Sequence, residues 1–118
     1  MKILKPVTEM RNERGFLLEL VKDGSWKQLS HNFTKAGNKR GNHYHKKTYE
    51  FFYVYEGKLK LNVENLKTGK KEEHIINEGQ CFVVEPYDNH VVEALTDLHL
   101  IILLSNAFDE NDPDLFRK

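Results

Sequence analysis

Short runs of β-branched and aromatic residues, each closed by turn chemistry, recur along this chain with no helical period between them. That pattern restricts the chain to an all-β architecture. The spacing predicts strands over residues 16–21, 26–33, 50–55, 58–66, 74–76, 81–85, 90–95 and 98–104. Asp23-Gly24, Glu56-Gly57, Thr68-Gly69 and Glu78-Gly79 place glycine where hairpin turns need positive φ, and Pro86-Tyr87-Asp88-Asn89 reads as a further turn. Leu59, Leu61 and Val63 fall on one face of their strand and Lys58, Lys60 and Asn62 on the other, so a sheet with one wet face is expected. Many strands at even spacing point to an antiparallel barrel or a double-sheet jelly roll.

The 118 residues are enough for one core, and no linker or repeat divides them, so a single domain over 1–118 is expected. Lys plus Arg and Asp plus Glu each total 18, which leaves no overall field to draw in nucleic acid or an anionic membrane. The one cysteine, Cys81, excludes an internal disulfide and reads as a small buried hydrophobe. The opening MKILKPVTEM lacks the apolar run of a signal peptide, and no segment approaches the roughly 18 apolar residues of a membrane span. A cytoplasmic address is the expectation. The polar, proline-containing segment 106–118 reads either as a covering loop with a short helix or as a frayed tail.

Chemistry concentrates at His43-Tyr44-His45, followed by Glu50 and, much later, His90. Two histidines at i and i+2 on an extended strand project from one face, so both imidazoles can reach one ion. With Glu50 and His90 they form a candidate ligand set for a single divalent transition metal, and three imidazoles with one carboxylate suit Zn, Fe, Mn, Ni, Co or Cu. Four protein ligands leave one or two positions for water or substrate, the layout of a reactive site. Tyr44, lying between the two histidines, should face outward. If Glu50 points inward, Phe52 and Val54 share its face while Phe51, Tyr53 and Tyr55 face away. His31, His74 and His99 lie outside the set and read as ordinary satisfied side chains. Lys35, Lys39, Arg40, Lys46 and Lys47 crowd around the histidines; they suit an anionic ligand such as a phosphate ester, or else a solvated loop.

The ligands sit in two blocks, Gly37-x5-His43-x-His45-x4-Glu50-x6-Gly57 and Gly79-x6-Pro86-x3-His90, which resemble the paired motifs of the cupin superfamily. The resemblance implies a cupin double-stranded β-helix, an antiparallel jelly-roll barrel, with a small C-terminal tail. The second block departs from the family pattern, which carries a glycine between the proline and the histidine; Asn89 is the nearest turn residue here, of a type that tolerates left-handed backbone. Arg40-Gly41-Asn42-His43-Tyr44-His45-Lys46-Lys47 and the stretch from Ser105 to Asp114 further resemble cupins that modify sugar nucleotides. Among these are the C-terminal cupin domain of capsular polysaccharide-synthesis enzymes and the 3,4-ketoisomerases.

This narrower resemblance implies an epimerase or isomerase acting on a nucleotide-linked 4-keto sugar through metal-assisted enolisation. The ketoisomerases generally carry glutamine where this chain keeps Glu50, and Glu50 favours metal. The resemblance also implies contacts from Arg40 and Lys46 to substrate phosphate, a homodimer, and a capping or subunit-contact role for Phe108, Asp109, Pro113 and Asp114. Two other functions stay open: a non-catalytic sugar-binding or sensing cupin, and a metal-dependent dioxygenase using open iron positions.

Overall fold

Alternating side chains become two opposed inner faces. The computed structural model describes residues 1–118, and its elements are eleven strands: β1 (Lys2–Leu4), β2 (Thr8–Asn12), β3 (Gly15–Glu19), β4 (Gln28–Thr34), β5 (Lys39–His43), β6 (Glu50–Glu56), β7 (Lys58–Asn65), β8 (Lys71–Asn77), β9 (Cys81–Val84), β10 (Asp88–Ala94) and β11 (Leu98–Leu104). A five-stranded sheet in the order β1-β9-β6-β11-β4 packs against a four-stranded sheet in the order β5-β10-β7-β8, and β2 with β3 forms a separate hairpin. Every pairing is antiparallel. No helix is long and apolar enough to cross a membrane.

The period-2 reading of β7 holds: Leu59, Leu61 and Val63 are buried, while Lys58, Lys60 and Asn62 lie on the opposite face. They meet Val92 and Ala94 from β10 and Ile76 from β8 on one side of the core, and Phe52, Val54, Phe82, Val84, Leu98 and Leu100 from the other sheet. Phe52 and Phe82 are cross-strand partners whose rings stack at 4.6 Å, joining β6 to β9 at the middle of the barrel. Phe51 faces away from this core, as the parity of β6 requires, yet is only 2% exposed because Trp26 lies over it at 6.2 Å.

Strand 98–104 has the expected bounds, and the other expected strands are present with ends shifted by a few residues. Strands β1, β2 and β5 were not legible. β5 reads Lys-Arg-Gly-Asn-His, with no β-branched or aromatic residue, and is held as a strand by tertiary pairing to β10. Segment 106–118 contains no helix and is a covering loop rather than a frayed tail: Phe116 exchanges both backbone hydrogen bonds with Tyr44, each 2.9 Å.

The β5–β10 pairing contains the irregularity that matters most for the site. His43 registers with His90 and Gly41 with Val91, so Asn42 is an extra residue and forms a β-bulge. Gly41 (φ 96°) and Asn42 (φ 62°) both take left-handed backbone there. A Cβ on Gly41 would lie 2.5 Å from the carbonyl oxygen of His90, so only glycine fits.

Two substitutions test this account. Phe82→Ala should cost about 3–5 kcal/mol by emptying the centre of the core. Gly41→Ala should cost about 1–3 kcal/mol through positive φ and the His90 clash. Urea unfolding midpoints read both, and a wild-type midpoint for Gly41→Ala would contradict the bulge geometry.

Candidate metal centre

The bulge decides what β5 shows to the barrel interior. On a regular strand His43 would share its face with Gly41 and Lys39, leaving Arg40 outside. The extra residue shifts the parity, so that His43 pairs with inward His90 and Arg40 pairs with inward Val92. Both side chains therefore line one cavity of about 160 Å³, together with Glu50, His90, Asn32 and Phe52. Larger hollows of about 390 and 620 Å³ lie elsewhere, but the first reaches His45 only from the tail side and the second contains none of the four ligand residues.

His45 is not on β5. The strand ends at His43, Tyr44 makes an isolated bridge to Phe116, and His45 begins the turn into β6. Its ring still joins the others, with centroids 5.2 Å from His43 and 5.8 Å from His90, and His43 lies 4.6 Å from His90. Tyr44 points the other way, as expected, stacked between Tyr87 and Phe116. The left-handed residue of the turn before β10 is Tyr87 (φ 69°) and not Asn89, which lies within the strand. The Tyr87 amide donates to the His45 carbonyl at 2.7 Å and ties that turn to the site.

His43, His45, Glu50 and His90 each present one ligand atom, and these four atoms all lie within 4.8 Å of one another. Glu50 is 7% exposed, and its Oε1 lies 2.5 Å from His45 Nε2 and 3.3 Å from His90 Nε2. His45 Nδ1 is 2.6 Å from the Asp114 carbonyl and His90 Nδ1 is 3.0 Å from the Asp88 carbonyl. A carbonyl can only accept, so both Nδ1 atoms carry the proton and both Nε2 atoms point to the centre. This donor set fits a first-row divalent cation, with imidazole nitrogens and one carboxylate converging and outer N–H groups already satisfied.

Electrostatics of the cluster follow from burial and pairing. Burial alone would raise the Glu50 carboxyl, but hydrogen bonds from His45 and His90 and the charge on those rings hold it well below the usual carboxylate range. Burial works against charge on His45 as well; the bond to Glu50 and its negative charge outweigh it and lift this imidazole above its ordinary value. His43 is pushed down to about 4 by burial and then by His90. The short contact between His45 Nε2 and Glu50 Oε1 favours a proton shared between the two groups.

The two residues expected at a substrate phosphate separate. Arg40 crosses the barrel mouth, its Nε donating to Thr34 Oγ1 at 2.9 Å and its Nη2 to the Phe33 carbonyl at 3.1 Å. Lys46 lies outside the cavity with its ammonium 4.1 Å above the Phe116 ring, and Lys47 pairs with Asp112 at 3.6 Å. The basic cluster read from sequence thus divides, with Lys35, Lys39 and Arg40 lining a separate surface hollow beside β4 and β5 that meets the site cavity at Arg40. His74 pairs with Glu72, while His31 and His99 pair with each other at 2.9 Å on the outer face of the large sheet, all away from the cluster. Asn32 is a lining residue that no sequence signal marked, since nothing local shows which face of β4 turns inward.

An antiparallel jelly roll with three imidazoles and a carboxylate converging inside it is a cupin-class barrel, and it resembles the cupins that modify sugar nucleotides. Within that class the chain belongs to the polysaccharide biosynthesis C-terminal domain family, which matches residues 10–116. It is 29% identical over 107 residues to the UDP-2-acetamido-2,6-beta-L-arabino-hexul-4-ose reductase of Pseudomonas aeruginosa, covering 87% of this chain and 29% of that protein. The capsular polysaccharide assembling protein CapF of Staphylococcus aureus superposes with a TM-score of 0.72 at 26% identity, over 95% of this chain and 34% of that one. This chain therefore spans about a third of the length of either relative. A mutant of the 3,4-ketoisomerase QdtA from Thermoanaerobacterium thermosaccharolyticum, in complex with TDP-4-keto-6-deoxyglucose, shares the fold with a TM-score of 0.80 at 16% identity, over 99% of this chain and 86% of that one.

Calorimetric titration of zinc in buffers of different ionisation heat should show proton release on binding, because the proton shared between His45 Nε2 and Glu50 must leave before the ring can ligate. Affinity should fall as pH drops toward 4, because protons compete with the metal for the His45 ring, whose pKa is raised, and finally for His43. Glu50→Gln should weaken zinc by more than about 100-fold, beyond the range of outer-shell changes. Unchanged zinc binding by Glu50→Gln would remove the carboxylate from the ligand set.

Proposed function

We propose that this chain is a metal-dependent domain that promotes enolisation beside the ketone of a nucleotide-linked 4-keto sugar, acting as an epimerase or isomerase. The observation that carries the reading is the convergence of His43, His45, Glu50 and His90, three of which line a barrel cavity completed by Phe52, Val92, Leu100, Ile102 and the polar Asn32 and Arg40. A divalent cation held there would polarise a carbonyl oxygen and so acidify the neighbouring C–H bond. Support for the substrate class comes from relatives whose names specify a UDP-linked hexul-4-ose and a TDP-linked 4-keto sugar.

The chain's own residues fit that substrate in parts. A cavity of about 160 Å³ is below the roughly 300–1,000 Å³ of sites that engulf a whole drug-sized ligand, so it takes the sugar ring alone. Val92, Leu100 and Ile102 keep the ring's surroundings dry, and Asn32 offers a polar partner for a hydroxyl. The nucleotide then stays at the mouth, where Lys35, Lys39 and Arg40 supply cations for its phosphates. Lys46 is left out of this arrangement.

The reading includes a homodimer. Leu29 (68% exposed) and Phe33 (42%) project from the outer face of the large sheet, and Tyr55 is exposed on β6 of the same sheet. A molar mass of one protomer across micromolar concentrations in light scattering would argue against it.

Incubation with UDP- and dTDP-4-keto sugars in deuterium oxide should place deuterium at a carbon beside the ketone in wild-type protein, and His90→Ala should abolish exchange. Absence of exchange from the zinc-, iron- and manganese-loaded protein on such a panel would count against the reading.

A further inference from the structure

We propose that Asp114, in the C-terminal segment, is a positioning residue of the metal centre, its main-chain carbonyl orienting His45 and its carboxylate holding that carbonyl in place. The inference rests on the metal reading above. Asp114 is 8% exposed and keeps a left-handed backbone (φ 47°), a conformation that costs a non-glycine residue free energy and persists only where its surroundings impose it.

The surroundings are specific. One carboxylate oxygen accepts from the Lys46 amide at 2.9 Å; the other accepts from the Lys47 amide at 3.0 Å, the Thr48 amide at 2.9 Å and the Thr48 hydroxyl at 2.8 Å. Asp114 thus caps the turn that carries His45 into β6, using charge-assisted bonds to do so. From the same residue the carbonyl accepts the His45 Nδ1 proton at 2.6 Å. That bond keeps one ring proton on Nδ1 and leaves Nε2 as the nitrogen that faces Glu50 and can ligate once the proton shared with the carboxylate leaves.

The grip continues along the tail. Phe116 pairs with Tyr44 through both backbone groups, and Arg117 Nη1 donates to the carbonyls of Gly41 at 3.1 Å and Asn42 at 3.0 Å, the two left-handed residues of the bulge that aims His43. Residues 114–117 therefore hold the segments carrying both histidines of the His-x-His pair from outside the barrel.

Asp114→Ala in the full chain is the test, read by competition between zinc and a chromophoric chelator and by the His45 Nδ1 proton in NMR. The expected result is a zinc Kd raised about 10–100-fold, with loss of the slowly exchanging His45 Nδ1 proton. Asp114→Asn, which tolerates the backbone and keeps one acceptor oxygen, should lose less. Thr48→Val removes one hydroxyl from the same carboxylate, should shift the Kd in the same direction, and decides the matter if Asp114→Ala does not fold. A wild-type Kd with the His45 proton retained overturns the proposal. So does a lowered thermal midpoint with the Kd unchanged, which would make Asp114 a structural cap alone. If wild-type protein binds no zinc, the metal reading fails separately, and the clamp is judged on the unloaded protein, where persistence of the His45 proton in Asp114→Ala overturns it.

Discussion

A carboxylate buried beside the aromatic and aliphatic core of a β-barrel is the constraint around which this molecule is organised. Burying a lone charge costs several kcal/mol unless it is paired and hydrogen-bonded, and Glu50 meets that cost through His45 and His90. Each of those rings is backed in the same manner. A main-chain carbonyl of an aspartate takes the outer ring proton, Asp114 for His45 and Asp88 for His90. The carboxylate of each aspartate is then fully engaged elsewhere, Asp114 in the 46–48 turn and Asp88 with the Met1 amine, the Glu85 amide and Asn65. The site is held by two outward chains of hydrogen bonds that end in the tail and in the first residue.

The jelly roll makes this convergence possible because β10 lies between β5 and β7 while facing β6 across the core. His90 and His43 are cross-strand partners, so their proximity is a property of register. Glu50 arrives from the opposing sheet, and His45 from the turn between sheets. A one-residue slip in β5 would turn His43 outward, which makes the bulge at Gly41–Asn42 a determinant of the site as much as the histidines are.

Much of this was legible along the chain. The clustering residues His43, His45, Glu50 and His90, the inward parity of Glu50, Phe52 and Val54, the outward Tyr44, and the strands with clear alternation depend on local chemistry and on period. The misreadings share one cause. β5 has no propensity of its own and exists because β10 pairs with it. The i, i+2 spacing predicts His45 on the strand of His43, but that strand ends at His43 itself. The sequence suggests Asn89 as the turn residue, whereas Tyr87 takes the left-handed backbone, and it groups Lys46 with Arg40, whereas a tail residue, Phe116, draws Lys46 aside. Each depended on a partner from 40 to 70 positions away in the chain or on the exact course of the backbone, and no window of sequence contains that partner.

By itself the sequence determined the kind of structure and the candidate donor set: short alternating strands can bury their apolar faces only against one another, and three imidazoles with a carboxylate carry the same donor atoms wherever they are placed. The tertiary structure alone decided that Arg40 enters the cavity, that His45 is oriented by Asp114, and that residues 106–118 form a strap instead of a loose end. Side-chain period is a local quantity. Register, bulge and tail docking are set by hydrogen bonds between distant segments, whose free energy exists only once both strands are in place.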